Sequence, residues 1–241
     1  MKLNNLIVGL CLFVGVTSCR FDDDNIFGCR QASGPIIEDS FFMGEFDGIK
    51  VNKEEHVIIT QGPIFSVVVE APASIMEIVD LDNRNGTLEL NYDECVQDSE
   101  TVTLFVTMPV VDCIDVRGNA VVSSSNILSG NKLRLESGGN CLIDLGLDYE
   151  EMDLRIRGSS EVLLEGVCED LDVRISGDGR VEAFGLLTAF TEVDISGDGE
   201  LFITVLEYLD VEISGSGEVY FKGNPFIDSD ISGSGALIDA N

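Results

Sequence analysis

Apolar and charged residues alternate along much of the C-terminal half of the chain. Segments such as LDVRISG, LDVEISG and MDLRIRG place an apolar residue at every second position. Leu171, Val173 and Ile175 therefore share one face of an extended segment, and the charged residues share the other. The i, i+3, i+4 spacing of an amphipathic helix is missing here. The pattern predicts β-strands with one face buried.

The alternating segments recur with a nearly constant period, and each one ends at a glycine-rich turn. We take the apolar residue before each turn as position zero. The resulting series, with steps of 18 to 21 residues, is Val116, Leu135, Ile156, Ile175, Ile195, Ile213 and Ile231. Six residues further on there is a second apolar column: Val122, Cys141, Val162, Val181, Leu201, Val219 and Leu237. Such a repeat is typical of a solenoid, because a single unit cannot bury its apolar face without a stacked neighbour.

These patterns predict an all-β fold, a parallel β-helix or solenoid, with a right-handed coil as the expected hand. An antiparallel sandwich is the structural alternative, but it does not explain apolar columns at a fixed offset through seven units. Alternation is less regular between residues 41 and 110. We expect this part to form irregular first rungs or a cap, because an open solenoid end exposes unpaired strand edges.

The N-terminus has the pattern of a secretory signal peptide over residues 1–18. Lys2 precedes an apolar run from Leu6 to Val16, which is too short for a stable membrane-spanning helix. Small residues and then Cys19 follow, an arrangement that resembles the lipobox of bacterial lipoproteins. The resemblance implies that Cys19 is acylated and anchors the chain in the outer membrane.

We interpret residues 19–40 as a lipidated acidic linker and residues 41–241 as the folded domain. Asp22, Asp23 and Asp24 follow the anchor closely. Such a cluster resembles the surface-export signal of lipoproteins from the Bacteroidetes, which implies exposure at the cell surface. A solvated spacer that only clears the membrane is the alternative.

Cysteine usage agrees with an envelope location. Five of the seven cysteines remain once Cys11 leaves with the signal peptide and Cys19 is acylated, so at least one thiol stays free. Cys29 lies in the linker and Cys95 in a polar loop. We predict this pair as a disulfide, although spacing alone leaves other pairings open.

Composition argues against several classes of function. The formal net charge is −30, which disfavours nucleic acid and anionic lipid headgroups as partners. The chain has a single histidine, His56, in a charged segment, and no tryptophan. Neither a catalytic triad nor a zinc-binding cluster is indicated. We therefore expect a non-enzymatic protein without a resident cofactor.

The charge pattern at two outward positions changes in the last three repeats. At one and three positions before position zero, the middle repeats pair opposite signs, as in Asp153 with Arg155 and Asp172 with Arg174. In the last three repeats both positions are acidic: Glu192, Asp194, Asp210, Glu212, Asp228 and Asp230. Stacking would align these carboxylates in two ladders. We expect either a solvated acidic face or a weak site for Ca²⁺, which prefers oxygen ligands.

The order of segments in the mature chain resembles one known family. The runs FDGIKVNKEEHVIITQGPIFSVVVEAP, NGTLELNY and VTLFVTMP, followed by repeated ISGSG, are similar to the "putative auto-transporter adhesin head GIN domain" family. The resemblance covers residues 41–239 and implies a β-helical envelope protein. We expect this protein to present a surface that binds a glycan or a host or matrix protein. A carbohydrate-active β-helical lyase or hydrolase is the alternative. The oligomeric state stays open.

Overall fold

The computed structural model describes residues 28–97 and 102–241. The predicted signal peptide, the lipidation site Cys19 and the export cluster at Asp22, Asp23 and Asp24 lie outside the described residues. Within the described part, no helix combines the length and the apolar character needed to cross a membrane.

Nearly all of the regular structure in the described residues is β-strand. The one short helix, α1, spans Ala73–Met76. The strands are β1 Arg30–Gln31, β2 Ile36–Phe41, β3 Gly48–Val51, β4 His56–Gln61, β5 Ser66–Pro72, β6 Val79–Arg84, β7 Thr87–Tyr92, β8 Val96–Gln97, β9 Thr103–Met108, β10 Cys113–Gly118, β11 Val121–Ser124, β12 Leu128–Gly139, β13 Leu142–Gly158, β14 Glu161–Gly177, β15 Arg180–Gly197, β16 Glu200–Gly215, β17 Glu218–Lys222, β18 Phe226–Gly233 and β19 Ala236–Asp239.

Parallel stacking of successive coils forms a β-solenoid of about seven turns. β13, β14, β15 and β16 are each 16 to 18 residues long and pair in parallel with the next coil. β17 and β18 then pair with the two ends of β16, and β19 pairs with β17. The predicted all-β parallel solenoid is confirmed.

The N-terminal region contains both irregular rungs and a cap. β3 and β4 stack in parallel on β10 and β11, and β7 and β9 stack in parallel on β3 and β4. Beyond them the pairing becomes antiparallel, between β5 and β9, β2 and β5, and β6 and β7. This change of direction replaces the open end of the stack with hairpin-like pairing.

Strand pairing begins inside the range that the sequence assigned to the linker. β2 ends at Phe41, and all six of its residues pair with β5. Residues 36–40 thus belong to the folded sheet, whereas the pattern placed its start at residue 41. The reason is that β2 satisfies the free backbone edge of β5. Alternation does not reveal this role, because the side chains of Ile36–Ser40 are all exposed.

The register of the second coil differs from the sequence-based series. Gly118 aligns with Gly139, and Gly139 with Gly158, so Ser137 occupies position zero instead of Leu135. Ser137 is buried, and its hydroxyl bonds to the hydroxyl of Ser160 in the next coil. The series was wrong here because this hydrogen bond lets a polar residue occupy an apolar column.

The same two-residue shift corrects the second apolar column. Ile143, not Cys141, aligns with Val122 below it and Val162 above it. Cys141 is buried as expected, at 1% exposure, but it lies in the column of small residues that follows the corner.

The repeated ISGSG and ISGDG phrases are explained by contacts between successive corners. The first glycine adopts positive φ, for example +132° at Gly197, and a Cβ there would lie 2.7 Å from the carbonyl oxygen of Gly177. The second glycine covers the isoleucine of the previous coil, and a Cβ on Gly199 would lie 2.5 Å from Cγ2 of Ile175. One glycine is therefore required by backbone conformation and close approach, and the other by packing.

The isoleucine column under these corners forms one edge of the core. Ile175, Ile195 and Ile213 are at most 1% exposed. Ile231 in the last coil is 37% exposed, because no further coil in the described residues covers it. Burial in this column thus comes from the neighbouring coil, as expected for a stack of units that cannot fold alone.

Adjacent glycines provide a matched test of the corner. Gly139→Ala should destabilise the fold, because φ is +126° and the new Cβ would lie 2.3 Å from the carbonyl oxygen of Gly118. Backbone strain alone should cost about 1–3 kcal/mol. Gly138→Ala should be nearly neutral, because the nearest atom is 4.0 Å away and φ is not positive. Urea denaturation measures both, and equal losses of stability would contradict the corner geometry.

Candidate binding face

The six carboxylates of the last three coils form one continuous surface, which we call the C-terminal acidic face. Its members are Glu192, Asp194, Asp210, Glu212, Asp228 and Asp230. Glu192, Asp210 and Asp228 align in one ladder, and Asp194, Glu212 and Asp230 align in the other. All lie on outward positions of β15, β16 and β18, and only Asp210 is partly covered.

The coils immediately below compensate their charges with ion pairs. Arg155 bonds to Asp153 at 2.7 Å, and Arg174 lies 2.8 Å from Asp172. In the described part of the chain, no ion pair reaches any carboxylate of the C-terminal acidic face. Along the axis of the stack, the outward surface therefore changes from charges joined in ion pairs to carboxylates without ion pairs.

A column of aromatic side chains borders the C-terminal acidic face, and the sequence analysis missed it. Phe190, Tyr208 and Phe226 align in register at five positions before position zero. Tyr208 and Phe226 stack with centroids 5.8 Å apart, and Phe190 is 41% exposed. Once coils are aligned on the corner glycine, the spacing alone reveals this aromatic ladder.

A groove runs beside the aromatic ladder across several coils. Its volume is about 370 Å³, and Phe190 and Tyr208 form part of its wall. Glu192 and Asp210 of the C-terminal acidic face line it as well. Aromatic rings and carboxylates therefore meet in one concave surface.

The other aromatic pair forms a structural contact. Phe202 and Tyr220 stack with centroids 4.6 Å apart and an interplanar angle of 5°. The Arg180 guanidinium lies 4.3 Å from the Phe202 centroid, and Phe184 meets the Phe202 ring edge-on. Because these faces are already covered, the pair offers little flat surface to a sugar ring.

The histidine and the Cys168 thiol do not belong to this face. His56 lies at the start of β4, exposed, at the opposite end of the stack. Burial raises the pKa of the Cys168 thiol to about 12, so it carries little thiolate at neutral pH.

Glu55 is the one acidic residue buried in the described core, and it is 0% exposed. Burial raises the pKa of its carboxyl group, while hydrogen bonds from the Tyr92 hydroxyl and the Lys53 backbone amide, both 3.0 Å long, oppose this shift. Such a perturbed carboxyl group is often functional. Here it is enclosed between coils and cannot reach a substrate, so its role is structural.

The structure places the predicted calcium ligands side by side but does not close a metal site around them. Among residues 28–97 and 102–241, no group of three or more acidic, histidine or cysteine side chains converges at metal-binding distance. The carboxylates of the ladders face solvent, and each has its neighbours in the adjacent coils of the stack. Calcium binding by this face therefore stays a prediction.

Cys29 and Cys95 are joined by a disulfide, the pair that the sequence suggested. The bond lies beside the two-residue parallel pairing of β1 with β8. Cys113, Cys141 and Cys168 carry free thiols. The disulfide therefore fastens the N-terminal segment to the capping region, far from the C-terminal acidic face.

Comparison with known proteins establishes the class of this protein. Residues 45–225 match the family described as "Putative auto-transporter adhesin, head GIN domain", and the chain belongs to that family. No curated protein matches the sequence.

Solved structures share the fold. A "putative adhesin" from Bacteroides fragilis is 24% identical with a TM-score of 0.79, and the match covers 86% of this chain and 97% of that one. A "putative adhesin" from Parabacteroides merdae is 19% identical with a TM-score of 0.73, covering 89% and 100%. A "putative lipid binding protein" from Parabacteroides distasonis is 16% identical with a TM-score of 0.72, covering 88% and 99%.

Burial of Glu55 predicts a pH-dependent stability. Its pKa in the folded state lies above the ordinary value of 4.5, so the folded protein holds this proton more tightly than the unfolded chain. The stability it contributes is present below pH 4.5 and is lost as pH rises through the folded-state value. The melting temperature of Glu55→Gln should therefore increase relative to that of the wild type as pH rises from 4.5 to neutral.

The neighbouring residue supplies the control for this experiment. Glu54 is only partly buried and bonds to Asn119 through its side chain. Glu54→Gln removes the same charge and should keep the pH dependence of the wild type. If Glu55→Gln also follows the wild-type curve, burial does not perturb Glu55.

Calcium binding is tested by thermal melting with calcium or with chelator. Two carboxylates of one ladder are removed in Asp210→Asn/Asp228→Asn. If Ca²⁺ bridges the ladders, calcium should raise the melting temperature of the wild type more than that of the variant, at millimolar concentrations typical of weak extracellular sites. Equal shifts, or none, would leave the face as solvated surface.

Proposed function

We propose that the protein is a non-enzymatic, lipid-anchored module of the cell envelope that displays a binding face at the outer surface. One observation carries the proposal. The outward surface of the last three coils presents six carboxylates without ion-pair partners beside an exposed aromatic ladder. Family membership supports an adhesive role, and the N-terminal pattern of residues 1–24 supports the anchor.

Physical reasoning favours a binding role for this face. Neighbouring carboxylates about 5 Å apart in water repel by roughly 1 kcal/mol, and salt screens this repulsion. The surface is therefore tolerated, but it contributes nothing to folding. The coils below show that arginine is readily accommodated at the equivalent positions. A partner that supplies positive charge or hydrogen-bond donors would satisfy the uncompensated carboxylates.

The alternative, a carbohydrate-active enzyme, is tested separately. A glycosidase requires two carboxyl groups placed on either side of a scissile bond. The purified domain should release no new reducing or unsaturated ends from a panel of host and bacterial polysaccharides. Reproducible cleavage of one polysaccharide would replace the binding proposal with the enzymatic one.

A whole-cell experiment tests the anchor and the face independently. Cells that display the protein should bind some members of an array of glycans and matrix proteins. Cys19→Ala should release the protein or leave it unprocessed, and the cells should then lose binding. Substituting alanine for Asp22, Asp23 and Asp24 should keep the protein on the membrane but remove its protease accessibility on intact cells.

Neutralising the C-terminal acidic face should keep the protein on the cell but abolish capture. This variant carries Glu→Gln and Asp→Asn at the six positions. The matched control neutralises six exposed carboxylates elsewhere, at Asp144, Asp148, Glu150, Glu161, Glu165 and Glu169. Equal binding by the two variants would remove the face from the proposal, and no array binding by wild-type cells would contradict an adhesive role.

A further inference from the structure

The groove beside the aromatic ladder has walls that select for a particular chemistry. It extends over five stacked coils, because Lys132, Glu151, Asp170, Phe190 and Tyr208 align in register. Coils lie about 4.8 Å apart, so four intervals span roughly 19 Å along the axis. An extended peptide rises about 3.3 Å per residue, so about six residues fit this length.

Negative charge dominates the groove. Six carboxylates line it: Glu151, Asp153, Asp170, Asp172, Glu192 and Asp210. Lys132 is the only basic residue in the lining, and its ammonium group already lies 2.9 Å from Glu151. Arg155 and Arg174, which lie outside the lining, pair with Asp153 and Asp172, so Asp170, Glu192 and Asp210 are the lining carboxylates without an ion-pair partner among the described residues. A cationic ligand would thus enter a concave surface with three uncompensated carboxylates, an arrangement that focuses the field on the ligand.

One acceptor in the groove lacks a hydrogen bond. Oδ1 of Asp153 is buried and accepts none, whereas Oδ2 accepts one from Arg155 at 2.7 Å. Arg174 lies 3.9 Å from Oδ1, which is beyond hydrogen-bond distance. Buried acceptors without partners are uncommon in folded proteins. Because this oxygen is buried, a ligand donor could reach it only if neighbouring side chains moved.

The aromatic residues favour an organic cation over a metal ion. Phe190 is 41% exposed, and both Phe190 and Tyr208 line the groove next to its carboxylates. Guanidinium and ammonium groups bind to the faces of aromatic rings and pair with carboxylates at the same time. A hard metal ion uses the carboxylates alone, and the described residues do not close a metal site.

We propose that this groove binds an extended segment of a partner protein that carries arginine or lysine side chains. The inference rests on the proposed binding function and names the chemistry of the partner. The length of the groove, its carboxylates and its aromatic wall all suit an extended chain that carries several cationic side chains.

The probe is a blocked hexapeptide of alternating arginine and serine, labelled with a fluorophore and measured by anisotropy at low ionic strength. The control peptide carries citrulline, the neutral analogue of arginine. Wild-type protein should bind the arginine peptide at least about tenfold more tightly than the citrulline peptide, because several charge contacts are lost. Added salt should weaken binding.

Three protein variants locate the site. Asp170→Asn/Asp210→Asn should weaken binding of the arginine peptide about tenfold. Asp144→Asn/Asp178→Asn removes two exposed carboxylates outside the groove and should have less than a twofold effect. Phe190→Leu keeps an apolar side chain and should weaken binding about two- to fivefold, the size expected for an exposed cation–π contact, with unchanged salt dependence. All variants must melt like wild type.

Several outcomes would overturn the inference. Equal loss in the two double variants would show diffuse electrostatic attraction, and tight binding of spermine without binding of the peptide would indicate a small polyamine site. If the six-position variant loses capture on cells while the peptide fails to bind, the proposed function survives and this inference falls. If the arginine peptide binds the groove but the six-position variant still captures its partner on cells, the groove is a cation-binding site and the proposed function of the acidic face is contradicted.

Discussion

The close contact between successive glycine corners is the constraint on which the rest of the structure depends. At Gly158, Gly177, Gly197, Gly215 and Gly233, the Cα of one coil lies so near the carbonyl oxygen of the coil below that no side chain fits between them. Backbone hydrogen bonds join the same corners, for example from Asp198 to Gly177 at 3.1 Å. This contact sets the register between coils, and register determines which side chains share a column.

This register determines which residues stack above one another in every column of the molecule. The isoleucines at position zero are buried because the second glycine of the next corner leaves room above them. The same register stacks the outward side chains into ladders, whether their charges have the same sign or opposite signs. In the middle coils the ladders contain both signs and form ion pairs. In the last three coils they contain only carboxylates, so the stacking that holds the fold together also concentrates negative charge.

The proposed binding function therefore depends on repetition more than on any single residue. Individually, Asp210 or Tyr208 would be an ordinary surface side chain. Stacked with equivalents at every coil, they form a surface in which charge and aromatic area extend along the axis. Such a surface suits a long, repetitive or extended ligand, because contacts can be made at each coil. The family match covers residues 45–225, which include β15 and β16 but end before β18 and its Phe226, Asp228 and Asp230.

Sequence alone determined the strands, their parallel stacking and the columns from Ile156 onward. Period-two alternation and recurring glycine corners are local signals. Because the coils stack regularly, these signals also predict which residues of successive coils lie next to one another. The sequence also predicted the acidic ladders, because the alignment on position zero is correct for the last three coils. Phe190, Tyr208 and Phe226 follow from that same alignment but were not recognised in it.

Only the tertiary structure decided the features that depend on contacts between distant segments. Ser137 replaces an apolar residue at position zero because the hydroxyl of Ser160, in the next coil, accepts a hydrogen bond from the Ser137 hydroxyl. β2 joins the sheet because β5 offers a free edge, although the exposed side chains of Ile36–Ser40 give no alternating pattern. The groove and the buried oxygen of Asp153 likewise exist only once several coils are stacked. Local patterns specify which residues face the core, whereas the fold determines which of them meet.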